Sequence, residues 1–166
     1  MNTIKSFGLW SHAKEFLTAA HMVKDPQQSS KGKTDFSLIM PAYYLVGHSI
    51  ELSLKSYLAA KGYQISVLRS KKYGHDLEAL LVECRKRKLG REVKLTKHQF
   101  DAIKLFSLTY KSKKLEYLEY GNYQLPEYGF IYNVAKTVND SLAYYASNSP
   151  FNLRLHSDRK GRATTA

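Results

Sequence analysis

The sequence predicts an all-α protein, an up-and-down helical bundle of about five helices. Three observations carry this. Apolar residues recur at three- and four-residue spacing in almost every periodic segment. Polar breaks, many bearing Gly or Pro, separate those segments. No stretch alternates apolar and polar residues as a half-buried strand would.

In the first helix Leu9, Ala13, Phe16, Leu17, Ala20 and Val23 share one face, and Asp25-Pro26 closes it. The polar run "PQQSSKGKTD" then reads as a mobile loop. The second helix is "FSLIMPAYYLVGHSIELSLKSYLAAKG", with Asp35 as its expected cap and Pro41 confined to a first turn or a kink. Leu45, Val46, Ile50, Leu52, Leu54 and Leu58 lie on nearly all of its sides. A helix apolar all round belongs at the centre of a bundle. Gly62 should end it in a left-handed conformation.

The third helix is expected from Asp76, with Leu77, Leu80, Leu81 and Cys84 inward, a basic C-terminal end and Gly90 as its stop. The fourth opens on "LTKHQF": Thr96 and Gln99 have the spacing of a capping box, flanked by Leu95 and Phe100 as a hydrophobic staple. Phe100, Ile103, Phe106 and Tyr110 continue inward. The fifth follows Pro126 and turns Ile131, Val134, Ala135, Val138, Leu142 and Tyr145 to one side. Residues 1–147 therefore form one helical domain, and residues 148–166 a basic, flexible tail.

Composition narrows the function. A chain of 166 residues, 43% hydrophobic, can bury a single core. Its net charge of +12 favours a polyanionic partner: RNA, DNA, an acidic protein or an anionic membrane. One cysteine, Cys84, excludes an internal disulfide and a cysteine-based zinc site, and no metal or cofactor is expected. No apolar run approaches the ~18 residues of a membrane span, and the N-terminus lacks a signal-peptide core. The expectation is a cytoplasmic protein without a membrane partner.

The basic residues cluster: "RSKK" at 69–72, "RKRK" at 85–88 followed by Arg91, Lys94 and Lys97, "KSKK" at 111–114, and Arg154, Arg159, Lys160 and Arg162 in the tail. One such run is commonly just a solvated face. Several together, with thirteen tyrosines in the chain, suit phosphate contacts and base stacking. Lys55, Arg69, Lys71, Lys72, Arg85, Lys86, Arg87 and Lys88 are the residues assigned to nucleic-acid or ligand binding.

A second set of residues is polar but not simply basic. His48, Glu51 and Lys55 recur on successive helical turns, and Glu51 and Lys55 can pair directly. With His75 and Asp76 they are read as a structural polar network. The alternative turns His48 and Lys55 toward a ligand. Two Arg–His pairs, Arg69 with His75 and Arg91 with His98, could in principle supply a cation and an imidazole for phosphodiester cleavage. The order Gly74-His75-Asp76-Leu77 also explains itself as a turn, a cap and a first core residue. We read it as a helix start and not as a catalytic dyad.

His48-x-x-Glu51-x-x-x-Lys55, Gly62, a variable loop, Gly74-His75-Asp76-Leu77 and the later "LPEYGFIYNVAKTVNDSL" together resemble the HEPN domain superfamily, over roughly residues 9–147. The resemblance implies a small helical bundle, often a homodimer, associated with nucleotides and nucleic acids. Many such proteins are metal-independent ribonucleases with an Arg and a His a short spacer apart; others lack an active site or partner a nucleotidyltransferase or an antitoxin in defence systems. Both Arg–His pairs here have that spacing. In "YLEYG", Glu119 stands where many relatives carry a basic stretch. The resulting expectation is an HEPN-like protein that binds RNA or a nucleotide-bearing partner through basic loops. A ribonuclease and an interaction module for an acidic protein are the alternatives.

Overall fold

The computed structural model describes residues 6–24, 38–117 and 121–148. The expected cap Asp35, the loop 26–35, Glu119 and the tail cations Arg154, Arg159, Lys160 and Arg162 lie outside the described residues. The described residues form six α-helices: α1 (Ser6–Lys24), α2 (Ile39–Ala60), α3 (Ile65–Leu68), α4 (Leu77–Lys86), α5 (Lys97–Lys111) and α6 (Tyr128–Ser147). The described residues contain no strand. Five of the helices are those the periodicity predicts. The sixth, α3, is a single turn that buries Leu68 between two exposed stretches.

α2 is the axis of the bundle. It packs against α1, α4, α5 and α6, and Ile50, Leu54, Leu58 and Val46 are fully buried. Truncating one of the larger of these side chains to alanine removes about 2–5 kcal/mol. Pro41 sits in the first turn of α2, where its missing N–H is not needed. α1 runs opposite to its neighbours: Ser6 meets Ser56 while Phe16 meets His48. Trp10 Nε1 donates to the carbonyl of Asn139, and the Asn139 amide donates to Ser53 Oγ, so α1, α2 and α6 share one buried polar tie.

The helix boundaries follow local chemistry. Asp76 accepts from the Ala79 amide at the start of α4, and Thr96 with Gln99 forms the full capping box of α5. Glu127 accepts from Gly129 and Phe130 at the start of α6. Gly62 ends α2 with φ of 93°.

Two expectations are corrected. α4 does not run on to Gly90. It ends at Lys86, and Lys88 takes the left-handed conformation that closes it, which lets Leu89 turn back into the core. Gly90 lies in a short 3-10 turn, Leu89–Arg91. Before α4, the left-handed residue is His75, with φ of 59°, and not Gly74. A Cβ at Gly74 would sit 3.3 Å from the Ser70 carbonyl, a tight contact.

Candidate functional site

Two polar arrangements stand out. The first is built around Glu51, a carboxylate 3% exposed in the middle of α2. One turn on, Lys55 donates to its Oε1 at 2.5 Å and is itself buried. Its other oxygen, Oε2, accepts the Tyr110 hydroxyl at 2.7 Å and the His75 Nδ1–H at 3.1 Å. His48 Nδ1 lies 3.7 Å from the same oxygen and 3.1 Å from Tyr110 Oη. The Tyr110 proton is given to Glu51, so its oxygen accepts from His48. Helix α2, the turn before α4 and helix α5 thus meet at one carboxylate.

The electrostatics follow from that arrangement. Burial by itself pushes the Glu51 carboxyl up, but His48, the Lys55 charge and hydrogen bond and Tyr110 outweigh it and hold the group well below the usual carboxylate range. Burial, and then the Glu51 charge, push the Tyr110 phenol far up, so it remains a donor. The tautomers are set by the network: both imidazoles direct Nδ1–H inward. Asp76, next to His75, accepts from Ser107 Oγ and lies 3.4 Å from the Lys111 ammonium, which fastens α4 to α5.

Gly47 makes this possible. A side chain there would approach the Tyr110 ring to 2.5 Å, so only glycine lets that ring pass against α2 and reach Glu51. Phe16 packs edge-on to His48, and the Tyr44 ring stacks on it.

The second arrangement is at the far end of α2. Tyr57 Oη donates to the carbonyl of Arg87, which brings the C-terminal end of α4 beside the end of α2. Tyr63 donates to Glu83 Oε1 at 2.6 Å and accepts from Arg87 Nε at 2.8 Å. The Tyr63 hydrogen bond holds the Glu83 carboxyl below its ordinary range, against burial, with the Lys86 and Arg87 charges adding to it. Lys72 lies over the Tyr73 ring, and the Tyr73 hydrogen bond first, with the Glu83 carboxylate adding to it, raises its ammonium pKa. Lys61 lies over both Tyr57 and Tyr145. Lys86 and Arg87 of the cluster 85–88 pair with Glu83, while Lys72 of the cluster 69–72 has the Tyr73 ring as its contact.

Only some of the predicted site residues belong to these two places. His48, Glu51, Lys55 and His75 form one network, while Asp76 beside it caps α4 and ties it to α5. The ammonium of Lys55 is held by Glu51 and buried, so it does not face a ligand. Arg69, Lys71, Lys72, Arg85, Lys86, Arg87 and Lys88 are exposed. Arg85 lies over the Phe100 ring, and Lys86 and Arg87 pair with Glu83. Arg91 is exposed on the 3-10 turn and His98 in the first turn of α5. Among the described residues no hydrogen bond or ion pair joins Arg69 to His75 or Arg91 to His98. His75 is engaged by Glu51 instead. Cys84 is buried, and burial pushes its thiol well up, so it is a core residue. Among the described residues no group of three or more His, Cys, Asp or Glu could hold a metal ion. No helix there is long and apolar enough to cross a membrane.

Sequence reasoning missed Gly47, Tyr63, Glu83 and Tyr110 as parts of these sites. Gly47, Tyr63 and Tyr110 act through partners many residues distant, which no local pattern marks, whereas Glu83 also pairs with Lys86 and Arg87 at the local i+3 and i+4 spacing.

No protein-family model, curated protein or solved structure matches the chain.

Proposed function

We propose that this protein binds RNA, or a similarly phosphate-rich polyanion, through the basic end of the bundle. The observation that carries the reading is the row of exposed cations at 85–88, with Arg87 held against Tyr63 and Glu83, together with the exposed Lys72 over the Tyr73 ring. Lys61, Lys71, Lys86 and Lys88 extend the same end, and none of these side chains is needed for the core. One carboxylate faces many cations there, so the local field is strongly positive. Such a surface holds phosphates and reads no base edges, which makes the binding largely independent of sequence. Tyr63, half-buried beneath the Arg87 guanidinium, gives the surface an aromatic–cation element suited to unpaired bases.

The placement of charge separates this reading from simple attraction to a basic protein. Single-stranded RNA binding is measured by fluorescence anisotropy for two variants of equal charge change. Lys72→Glu with Arg87→Glu reverses the proposed end. Lys14→Glu with Lys136→Glu reverses exposed positions on α1 and α6. The first should weaken binding at least about tenfold more than the second, since phosphates left without a cation outweigh the change in overall charge. Equal losses would reject a localised surface.

A further inference from the structure

We propose that Tyr63 and Glu83 are positioning residues for Arg87, which they hold as a preformed, forked donor for one phosphate of the bound chain. The inference rests on the polyanion reading above and adds to it which cation anchors the ligand, and by what means.

Arg87 is held from both its backbone and its side chain. Its carbonyl accepts from Tyr57 Oη at 2.7 Å, and Tyr57 is buried in α2. Its Nε–H donates to Tyr63 Oη at 2.8 Å, and the guanidinium lies over the Tyr63 ring. Glu83 Oε1 stands 3.4 Å from the same Nε. Tyr63 is itself oriented. Its hydroxyl donates to Glu83 Oε1 at 2.6 Å, so the oxygen that faces Arg87 is free to accept. The Tyr63 ring also packs against the core. Of the cations at 85–88, Arg87 alone donates a side-chain hydrogen bond among the described residues.

What these contacts leave over points to the ligand. Among the described residues no hydrogen bond engages either Nη of Arg87, and its side chain is 53% exposed. With Nε pinned, both Nη groups form the planar fork that suits the oxygens of a phosphate. A free surface arginine loses much rotamer freedom when it grips a phosphate. Here that freedom is already lost in folding.

A purely structural tie does not need this side chain. Tyr57 binds the carbonyl of residue 87, which any residue supplies. Tyr63 joins the segment after α2 to α4 through Glu83 without Arg87. The guanidinium adds a cation that the single Glu83 carboxylate, also paired with Lys86, does not neutralise. A fixed, exposed and incompletely neutralised fork is a donor awaiting an oxyanion.

The test is a double-mutant cycle read by fluorescence anisotropy with single-stranded RNA, at temperatures well below the melting point of every variant. Tyr63→Phe keeps the ring and removes both hydrogen bonds of the hydroxyl. It should weaken binding about three- to tenfold, the cost of immobilising one long side chain on association. In an Arg87→Ala background the same substitution should have no further effect, because nothing is left to position. Arg87→Lys keeps the charge but has neither the fork nor the Nε donor, so it should lose at least as much as Tyr63→Phe. Glu83→Gln and Glu83→Ala remove the same charge, but only glutamine still accepts from Tyr63, so it should bind RNA more tightly than the alanine variant. Unchanged binding by Tyr63→Phe, a loss that persists in full without Arg87, wild-type affinity in Arg87→Lys, or equal affinities of the two Glu83 variants would overturn the proposal. The basic surface itself stands or falls separately. It is read by Lys72→Glu with Arg87→Glu against Lys14→Glu with Lys136→Glu, and equal losses there would overturn both readings.

Discussion

Tyr110 donates a 2.7 Å hydrogen bond to Glu51 across 59 positions of sequence, from the last turns of α5 to the middle of α2. It is the link that converts an isolated Glu51–Lys55 pair into a junction between helices. A buried carboxylate is costly unless it is fully paired, and this one is supported from three elements.

Replacing Glu51 by Gln should therefore be severe. The Lys55 ammonium would remain buried without its counter-charge, at a cost of about 3–5 kcal/mol. The pH dependence has a definite sign. The folded protein holds the Glu51 carboxyl below its unfolded value, so its contribution is complete above the ordinary carboxylate range. It is lost as pH falls through the folded value. Denaturant titrations should show the gap between wild type and Glu51→Gln narrowing below about pH 4. A gap that stayed constant into strong acid would mean that the pair is not ionised.

Gly47→Ala tests how that junction is packed. Alanine normally favours a helix over glycine by about 1 kcal/mol. Here its methyl would meet the Tyr110 ring at 2.5 Å, against a side chain that is itself buried. We expect a net loss of about 1–3 kcal/mol, read as a lower melting temperature. A stabilised variant would show that Tyr110 can yield freely.

Asp76→Ala should cost more than Thr96→Ala, although both remove a helix cap. Each cap is worth roughly 0.5–2 kcal/mol. Asp76 also holds Ser107 and Lys111 of α5, whereas the capping box of Thr96 is local and exposed. Chemical denaturation of the two variants compares them directly, and equal losses would remove the proposed α4–α5 tie.

The comparison of these residues shows what the sequence makes legible. Thr96 with Gln99, Pro41 and the apolar circumference of α2 speak through near neighbours, and the structure has them as expected. The Glu51–Lys55 pair is legible for the same reason, being one helical turn apart. Tyr110 reads only as an inward residue of α5. Its partner depends on how α5 crosses α2, and that crossing depends on Gly47. Glycine is the usual choice for a left-handed turn, so the sequence points to Gly74 where the fold uses His75. The basic clusters are visible as charge, and the pairs of Glu83 with Lys86 and Arg87 are local to α4, but the Tyr63 bond to Glu83 arises from tertiary packing at the ends of α2 and α4.

Salt dependence tests the central claim, that the end bearing Lys72 and Arg87 is a phosphate-binding surface. Single-stranded RNA affinity should be measured from about 50 to about 300 mM salt for wild type and for Lys72→Glu/Arg87→Glu. Wild type should show a log–log slope steeper than about −2, and the variant a slope shallower by roughly 0.7 for each phosphate that is no longer neutralised. Binding indifferent to salt, or identical slopes for the two proteins, would contradict the account.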